Sequence, residues 1–365
     1  MSSNGTYVMP EAAIAELESV VAKIEARPGE FVSMAECREA QERLRTKDVV
    51  ASLPEGLTEE DLVGILKLAM LTECATESYA AVFDRGGKQH DAAWLTHFNR
   101  RVWVPDELTH FLPFKGMLLD LGFSDAELER EMRQTREARY DHCCGITPVE
   151  LTTYGMLQEF LTDNWHGLIA NLLRQASPEG ARLATNVKKR ETLHYIWYRE
   201  LTAVQVAANP ELVPSVAGTV LSFEMPGAVL APQYQKRALV WMPHMGVDFK
   251  RIAREFVRHF YDILGSTRRS GEFLLEIAAR RGYNIGPVSP RTLMTWMNRL
   301  GGAGYSVIGE AILERVNLPV PEGVRHFYNA PYRRVRGALR GFVAKKLDLR
   351  VITGETSPEA APAGA

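Results

Sequence analysis

KKRETLHYIW, residues 188–197, sets Glu191 and His194 three positions apart in a segment with the apolar spacing of a buried helix. VPDELTHFLP, residues 104–113, does the same with Glu107 and His110, 84 residues upstream. Residues three apart share one face of a helix, so each pair can converge on a single point. One such pair alone is ordinary, a solvated Glu beside a core His. Here single acids alternate with the pairs. LTEEDLVGILKLAMLTECATESYAAVF, residues 57–83, carries an apolar stripe of Leu62, Leu66, Ala69 and Met70 that continues into Glu73. A segment opening at Pro148 carries Leu151, Gly155, Glu159, Thr162, His166, Ile169 and Leu173 along one face.

The order is therefore Glu, Glu-x-x-His, Glu, Glu-x-x-His. It is the ligand set of carboxylate-bridged di-iron and di-manganese helix bundles. The chemistry explains the residue types. Four buried carboxylates repel one another and are very costly to bury without compensation, and two divalent cations offset their four charges. Carboxylates can bridge two ions, each imidazole supplies one nitrogen, and positions stay open for dioxygen. A mixed carboxylate and imidazole set suits iron or manganese, whereas structural zinc favours cysteine. For the first acid, Glu77 stands one turn beyond Glu73 and competes with it as a ligand, as a group supporting a ligand, or as a solvated acid.

The surrounding sequence predicts helices throughout. Thr58 followed by Asp61 is an N-cap arrangement for the first helix. The second is predicted over about 91–121, the third from Pro148 to about 175, and the fourth from after ASPEG (176–180) until Pro210 ends it. Another helix is expected near 247–264, then further helices and a basic stretch at 331–350. Strand patterns are scarce, so the fold class is all-α. Residues 1–10 and 351–365 are small or polar and read as disordered tails. Between them, 11–265 is the expected metal-binding domain and 266–350 a helical C-terminal extension.

With 46% hydrophobic residues the 365-residue chain can bury a sizeable core. A net charge of −2 gives no global signature of nucleic-acid binding. Cys37, Cys74, Cys143 and Cys144 lack zinc spacing, and the adjacent pair is a poor disulfide candidate, so reduced thiols and a cytoplasmic location are expected. The N-terminus has no signal-peptide pattern, and no apolar run is long enough to span a membrane. No HExxH, phosphate-binding Gly loop or nucleophile elbow is present. Tyr79, Trp103, Trp165 and Trp197 are read as core, and His90, His97, His142, His166 and His259 as ordinary histidines.

On these residues, over about 60–265, the chain resembles the soluble acyl-acyl carrier protein desaturases, a ferritin-like family of bacteria and plastids, as a divergent bacterial-type member. LTECATESY resembles the family's first ligand helix and selects Glu73, leaving Glu77 as a supporting acid. PDELTH and RETLH fill its two Glu-x-x-His places. LQEFLT resembles its third ligand helix and assigns Glu159 as ligand and Thr162 as an oxygen-pocket hydroxyl. Phe223–Gly227, FEMPG, is similar to a segment that follows the bundle in bacterial members. The resemblance implies a ferritin-like four-helix bundle with additional packed helices at both ends, forming a homodimer. It implies two ferrous ions, a mixed manganese–iron pair remaining open, and an oxygen-dependent reaction that places a cis double bond in a fatty acyl chain. The chain would be held on acyl carrier protein or coenzyme A, with a ferredoxin-type electron donor. Arg333, Arg334, Arg336 and Arg340, with Lys345 and Lys346, offer a docking face for an acidic carrier, or simply a solvated basic helix face.

Departures from the family pattern lie beside the ligands. Thr109 and Leu193 stand where Arg usually precedes each ligand His, and Arg190 stands where an acid usually bonds a ligand His. No Trp precedes Trp94 to complete the usual upstream link, and Asp106 is left for the supporting role beside His194. A related di-iron hydroxylase or amine oxygenase is the first rival reading. Val187, where N-oxygenases carry a seventh ligand, argues against the latter. A non-enzymatic metal-binding bundle with a vestigial site is the second.

Overall fold

The computed structural model describes residues 7–138, 140 and 145–248, with scattered positions between 251 and 295. Every regular element among the described residues is helical, in agreement with the all-α, ferritin-like expectation. In chain order these are α1 (Glu11–Glu25), α2 (Met34–Ala40), α3 (Thr46–Val50), α4 (Glu59–Glu73), α5 (Thr76–Gln89) and α6 (Ala93–His97). A wide π turn (Phe98–Trp103) leads into α7 (Val104–Glu107), α8 (Leu112–Asp120), α9 (Asp125–Glu137), α10 (Pro148–Leu173) and α11 (Pro178–Ala208). α12 (Val213–Ser222), α13 (Gly227–Leu230) and α14 (Pro232–His244) follow. No helix among them is long and apolar enough to cross a membrane. The chain divides into two compact units, Met1–Gln235 with His259–Ser266 and Lys236–Arg258 with Thr267–Ala365. Everything below concerns the first.

Its centre is the pair α10 and α11, the most extensive helix contact among the described residues. α10 is buried on nearly every side, as a helix at the heart of a bundle must be. Thr147 and Glu150 form a capping box ahead of Pro148, so the first amides are satisfied and the start is sharp. A short link, residues 174–177, then returns the chain as α11, which makes the two antiparallel neighbours. Their close approach depends on Gly155. A Cβ there would lie 2.8 Å from three ring carbons of Tyr198 on α11. α4 is capped by reciprocal bonds between Thr58 and Asp61 and packs against α8 and α9. Its one buried lysine, Lys67, is neutralised by Glu131 at 2.7 Å.

Two expected helices are broken. The first reaches Glu73 as expected, but a turn at Cys74 and Ala75 ends it there and separates α4 from α5, so Glu77 does not follow on the same helix. The second, predicted over about 91–121, is four pieces. Pro105 brings no amide and its ring crowds the carbonyl a turn back, and the chain widens into the π turn just before it. The fourth helix starts at Pro178, slightly earlier than predicted, because Pro is well placed in a first turn.

At the N-terminus, residues 7–10 were expected in a disordered tail. The Tyr7 hydroxyl donates to Gln205 (2.9 Å) and Asn209 donates to the Val8 carbonyl (3.0 Å), so they are tied to the end of α11. Residues 1–6, the tail 351–365, the basic stretch with Arg333, Arg334, Arg336 and Arg340, and most of 247–350 lie outside the described residues.

Candidate metal centre

Each side chain of the expected set arrives by its own local device. Glu73 is the last residue of α4, immediately before the break. Glu107 closes α7, and the next residues turn tightly, with the His110 amide donating to the Glu107 carbonyl at 3.1 Å. Such an i to i+3 turn nearly eclipses Glu107 and His110, bringing them closer together than a regular helix would. Glu159 and Thr162 lie mid-way along α10, and Glu191 and His194 mid-way along α11, where neighbouring turns hold the backbone rigid.

The fold brings Glu73, Glu107, His110, Glu159, Glu191 and His194 into one buried cluster. All six are at most 3% exposed. His110 Nδ1 is 2.7 Å from Glu191 Oε1 and 3.1 Å from Glu107 Oε2. His194 Nδ1 is 3.3 Å from Glu107 Oε2 and 3.8 Å from both Glu159 Oε2 and Glu191 Oε2. The two imidazoles stack with centroids 5.3 Å apart. Donor atoms of Glu107, His110, Glu191 and His194 all lie within 4.8 Å of one another. Glu73, His166 and Glu191 form a second grouping on the same criterion. Glu191 belongs to both.

Supporting groups surround this set. His194 Nε2 lies 2.7 Å from Asp106 Oδ2, so Asp106 accepts from Nε2 and leaves Nδ1 turned toward the carboxylates. His110 Nε2 is 3.5 Å from the other oxygen of Asp106. Arg190 Nε donates to Asp106 at 2.8 Å, with a second, shorter bond from Nη2, which also donates to the Pro28 carbonyl at 2.6 Å. Gly29 makes room for this guanidinium. It adopts φ +78°, and a Cβ there would sit 2.6 Å from Arg190 Nη1. Trp103 donates its indole N–H to Glu159 Oε1 at 3.1 Å. Thr162 Oγ1 lies 3.4 Å from Glu191 Oε2 and within reach of the Gln158 and Glu159 carbonyls.

The electrostatics show what this arrangement demands. Burial, with Glu191 nearby, pushes Glu73 up to about 7. Burial likewise raises Glu159 well above the usual carboxylate range, with Glu191 and Glu107 adding repulsion. Burial would raise Glu107, Glu191 and Asp106 too, but the adjacent histidines draw all three down. The histidines respond in kind. Burial would lower them, and the facing carboxylates hold both His110 and His194 well above their ordinary value. Glu107 Oε2, Glu159 Oε2 and His194 Nδ1 are buried with imidazole or carboxylate atoms close by but no aligned hydrogen bond. Orphaned acceptors and nitrogens converging on one point, of mixed carboxylate and imidazole type, fit iron or manganese.

Glu77 corrects an expectation. It was placed beside the ligands on the assumption of a continuous helix, but the break after Glu73 turns it outward. Its side chain is 64% exposed and pairs with Arg100 at 2.7 Å. Three participants escaped the sequence reading. His166, an ordinary histidine by sequence, stands on the same stripe as Glu159, two turns on, and lies 3.2 Å from Glu73. Arg190 was noted only as a departure, and its partner, Asp106, comes from another helix. Trp103 was read as core, and its bond to Glu159 spans 56 positions. Cys37 and Cys74 are buried free thiols.

A family model described as fatty acid desaturase matches residues 21–262, which includes every residue of this cluster. No curated protein and no solved structure matches the chain significantly.

Proposed function

The chain belongs to the fatty acid desaturase family, an oxidoreductase assignment, and on that premise we propose that it is an oxygen-dependent di-iron acyl desaturase. The substrate is a fatty acyl chain on acyl carrier protein or coenzyme A, and the product carries a cis double bond. Two hydrogens leave adjacent carbons while dioxygen and two supplied electrons, with two protons, become water. The observation that carries the reading is the buried Glu/His cluster with its orphaned donor atoms. Glu73, Glu107, His110, Glu159, Glu191 and His194 would hold the ions, which when bound supply the redox chemistry that dioxygen reduction needs.

The remaining roles belong to this chain's own side chains. Asp106 keeps a proton on His194 Nε2, so Nδ1 presents its lone pair inward. Arg190 holds Asp106 in place and balances its charge. Trp103 orients Glu159. The Thr162 hydroxyl, 3.4 Å from Glu191, is placed to donate a proton beside the carboxylates. Burial of the cluster excludes bulk water, which would otherwise quench a reactive site. We take residues 11–265 as the catalytic domain, followed by a helical extension. We further propose a cytoplasmic homodimer served by a ferredoxin-type donor, with the basic stretch around Arg333, Arg334, Arg336 and Arg340 meeting an acidic carrier.

The test starts with metal content per chain, by mass spectrometry, on protein expressed with iron and manganese supplied. About two ions per chain are expected, lost in Glu107→Ala and His194→Ala. Product mass then decides the chemistry. Loss of two hydrogens supports desaturation, gain of one oxygen makes the protein a hydroxylase, and a folded protein that binds no metal overturns the reading.

A further inference from the structure

We propose that Arg190 raises the reduction potential of the metal centre by withholding the charge of Asp106 from His194. The inference rests on the metal reading above and goes beyond it, for Arg190 is no ligand and acts through Asp106. Arg190 is 3% exposed and stands one residue before Glu191 on α11. A guanidinium does not shed its proton on burial, so a permanent positive charge is built into the wall of the site. Phe31 and Trp197 lie against it, with ring centroids 5.3 and 5.7 Å from Cζ, and supply no anion. Asp106 is its one counter-charge within ion-pair distance among the described residues.

His194 depends on the same carboxylate, and on the same atom of it. Arg190 Nε (2.8 Å), Arg190 Nη2 and His194 Nε2 (2.7 Å) all meet at Oδ2. A carboxylate oxygen offers two lone pairs, so three N–H groups over-subscribe it. Oδ1 meanwhile makes no aligned hydrogen bond, and His110 Nε2 stays 3.5 Å from it. The guanidinium has therefore not spread over both oxygens, as a forked pair would, but has taken the one that serves the imidazole. Neighbouring backbone fixes it there. Nη2 also donates to the Pro28 carbonyl at 2.6 Å, and a Cβ on Gly29 would lie 2.6 Å from Nη1. A carboxylate behind a ligand imidazole makes that ligand more basic and steadies the higher charge of an oxidised ion. A carboxylate neutralised by a guanidinium does so less, and the guanidinium's own charge repels the oxidised ion further. Both effects favour the reduced state.

The rival reading is structural, with Arg190 only fixing Asp106 and filling space. Losing such support weakens ferric and ferrous binding alike and leaves the potential where it was, whereas losing the charge weakens them unequally. Dye-mediated potentiometric titration of the full-length, iron-loaded protein, followed by EPR, measures the midpoint for wild type, Arg190→Gln and Arg190→Lys. In Arg190→Gln the preference for ferric over ferrous iron should rise at least about tenfold, the lower end of what losing a ligand's hydrogen-bond partner does to metal affinity. For a one-electron couple that is a fall of about 59 mV. Arg190→Lys keeps the charge without the fork, so its midpoint should stay closer to wild type than to Arg190→Gln. A midpoint that holds or rises in Arg190→Gln, or falls equally in both variants, overturns the inference and leaves the desaturase reading standing. Wild type that binds no iron sinks both. If neither variant folds, proton NMR of the zinc-loaded wild type, labelled with 15N in its histidine rings, decides. The His194 Nε2 proton should resonate in the ordinary imidazole N–H range, and a proton drawn far downfield toward Asp106 overturns the inference.

Discussion

The Asp106 end of the cluster and the Glu73 end are built on opposite plans. At the Asp106 end protein partners crowd one carboxylate oxygen, Oδ2, while Oδ1 and His110 Nε2 across from it make no aligned hydrogen bond. The carboxylate accepts from His194 and from two nitrogens of Arg190, and Arg190 is held by Pro28 and by the room that Gly29 leaves. At the Glu73 end a raised carboxyl, at the last residue of a helix, lies 3.2 Å from the His166 imidazole. The first end is tied down by an arginine and its backbone contact at Pro28, and the second has only an imidazole beside its carboxyl. The difference teaches where stability and metal affinity should separate. Disturbing the Asp106 end should destabilise the protein, and disturbing the Glu73 end should chiefly change what it binds.

Glu191 joins the two ends, so Glu191→Ala should have the largest effect. Metal content should fall from about two ions per chain to near none, with desaturation abolished. Retention of both ions would show that the two groupings are independent. Asp106→Asn comes next. It strands Arg190, which is only 3% exposed, without its counter-charge. Losing one partner of a buried pair should cost about 3 kcal/mol in chemical denaturation, and the loosened His194 should lower metal affinity by about tenfold or more. An unchanged unfolding midpoint would show that this end is not preorganised.

Acidity probes the Glu73 end. Glu73 is pushed up to about 7 and His110 and His194 sit above their ordinary value, so in the metal-free protein protons occupy the donors an ion needs. The sign follows directly. An ion displaces these protons, so affinity rises with pH and falls as pH drops below about 7, by about tenfold per unit for each proton displaced. Anaerobic ferrous iron titrations at several pH values read the slope, and a flat profile would contradict the proton inventory. The smallest effect belongs to Glu77. Glu77→Gln removes only an exposed pair with Arg100, so stability should move by less than about 0.5 kcal/mol. Metal content should not change, and a loss of metal would return Glu77 to the site.

Much of this was legible along the chain because periodicity carries it. The stripes through Glu73, Glu159 and Glu191, the Thr58 cap and the Pro148 start are local patterns, and the helices follow them. The six expected ligand residues were readable as a set because Glu-x-x-His recurs in alternation with single acids. What was not legible depends on distance. Nothing in ECAT, residues 73–76, forbids a continuing helix, since neither Gly nor Pro is present. The break after Glu73, and with it the outward turn of Glu77, has no signal in the local sequence. Asp106 and Arg190 are 84 positions apart, and no spacing rule joins an acid on one helix to a base on another.

The sequence by itself determined an all-α chain, the composition of its polar core and the family to which it belongs, because helix periodicity and residue type are local properties. Only the tertiary structure decided which groups meet. It set Glu191 between two donor groupings, gave Asp106 a buried arginine, and brought His166 within 3.2 Å of Glu73. The physical reason is that burial removes water as a partner. Each polar group must then be satisfied by whichever side chain or ion the packing of distant helices brings within reach.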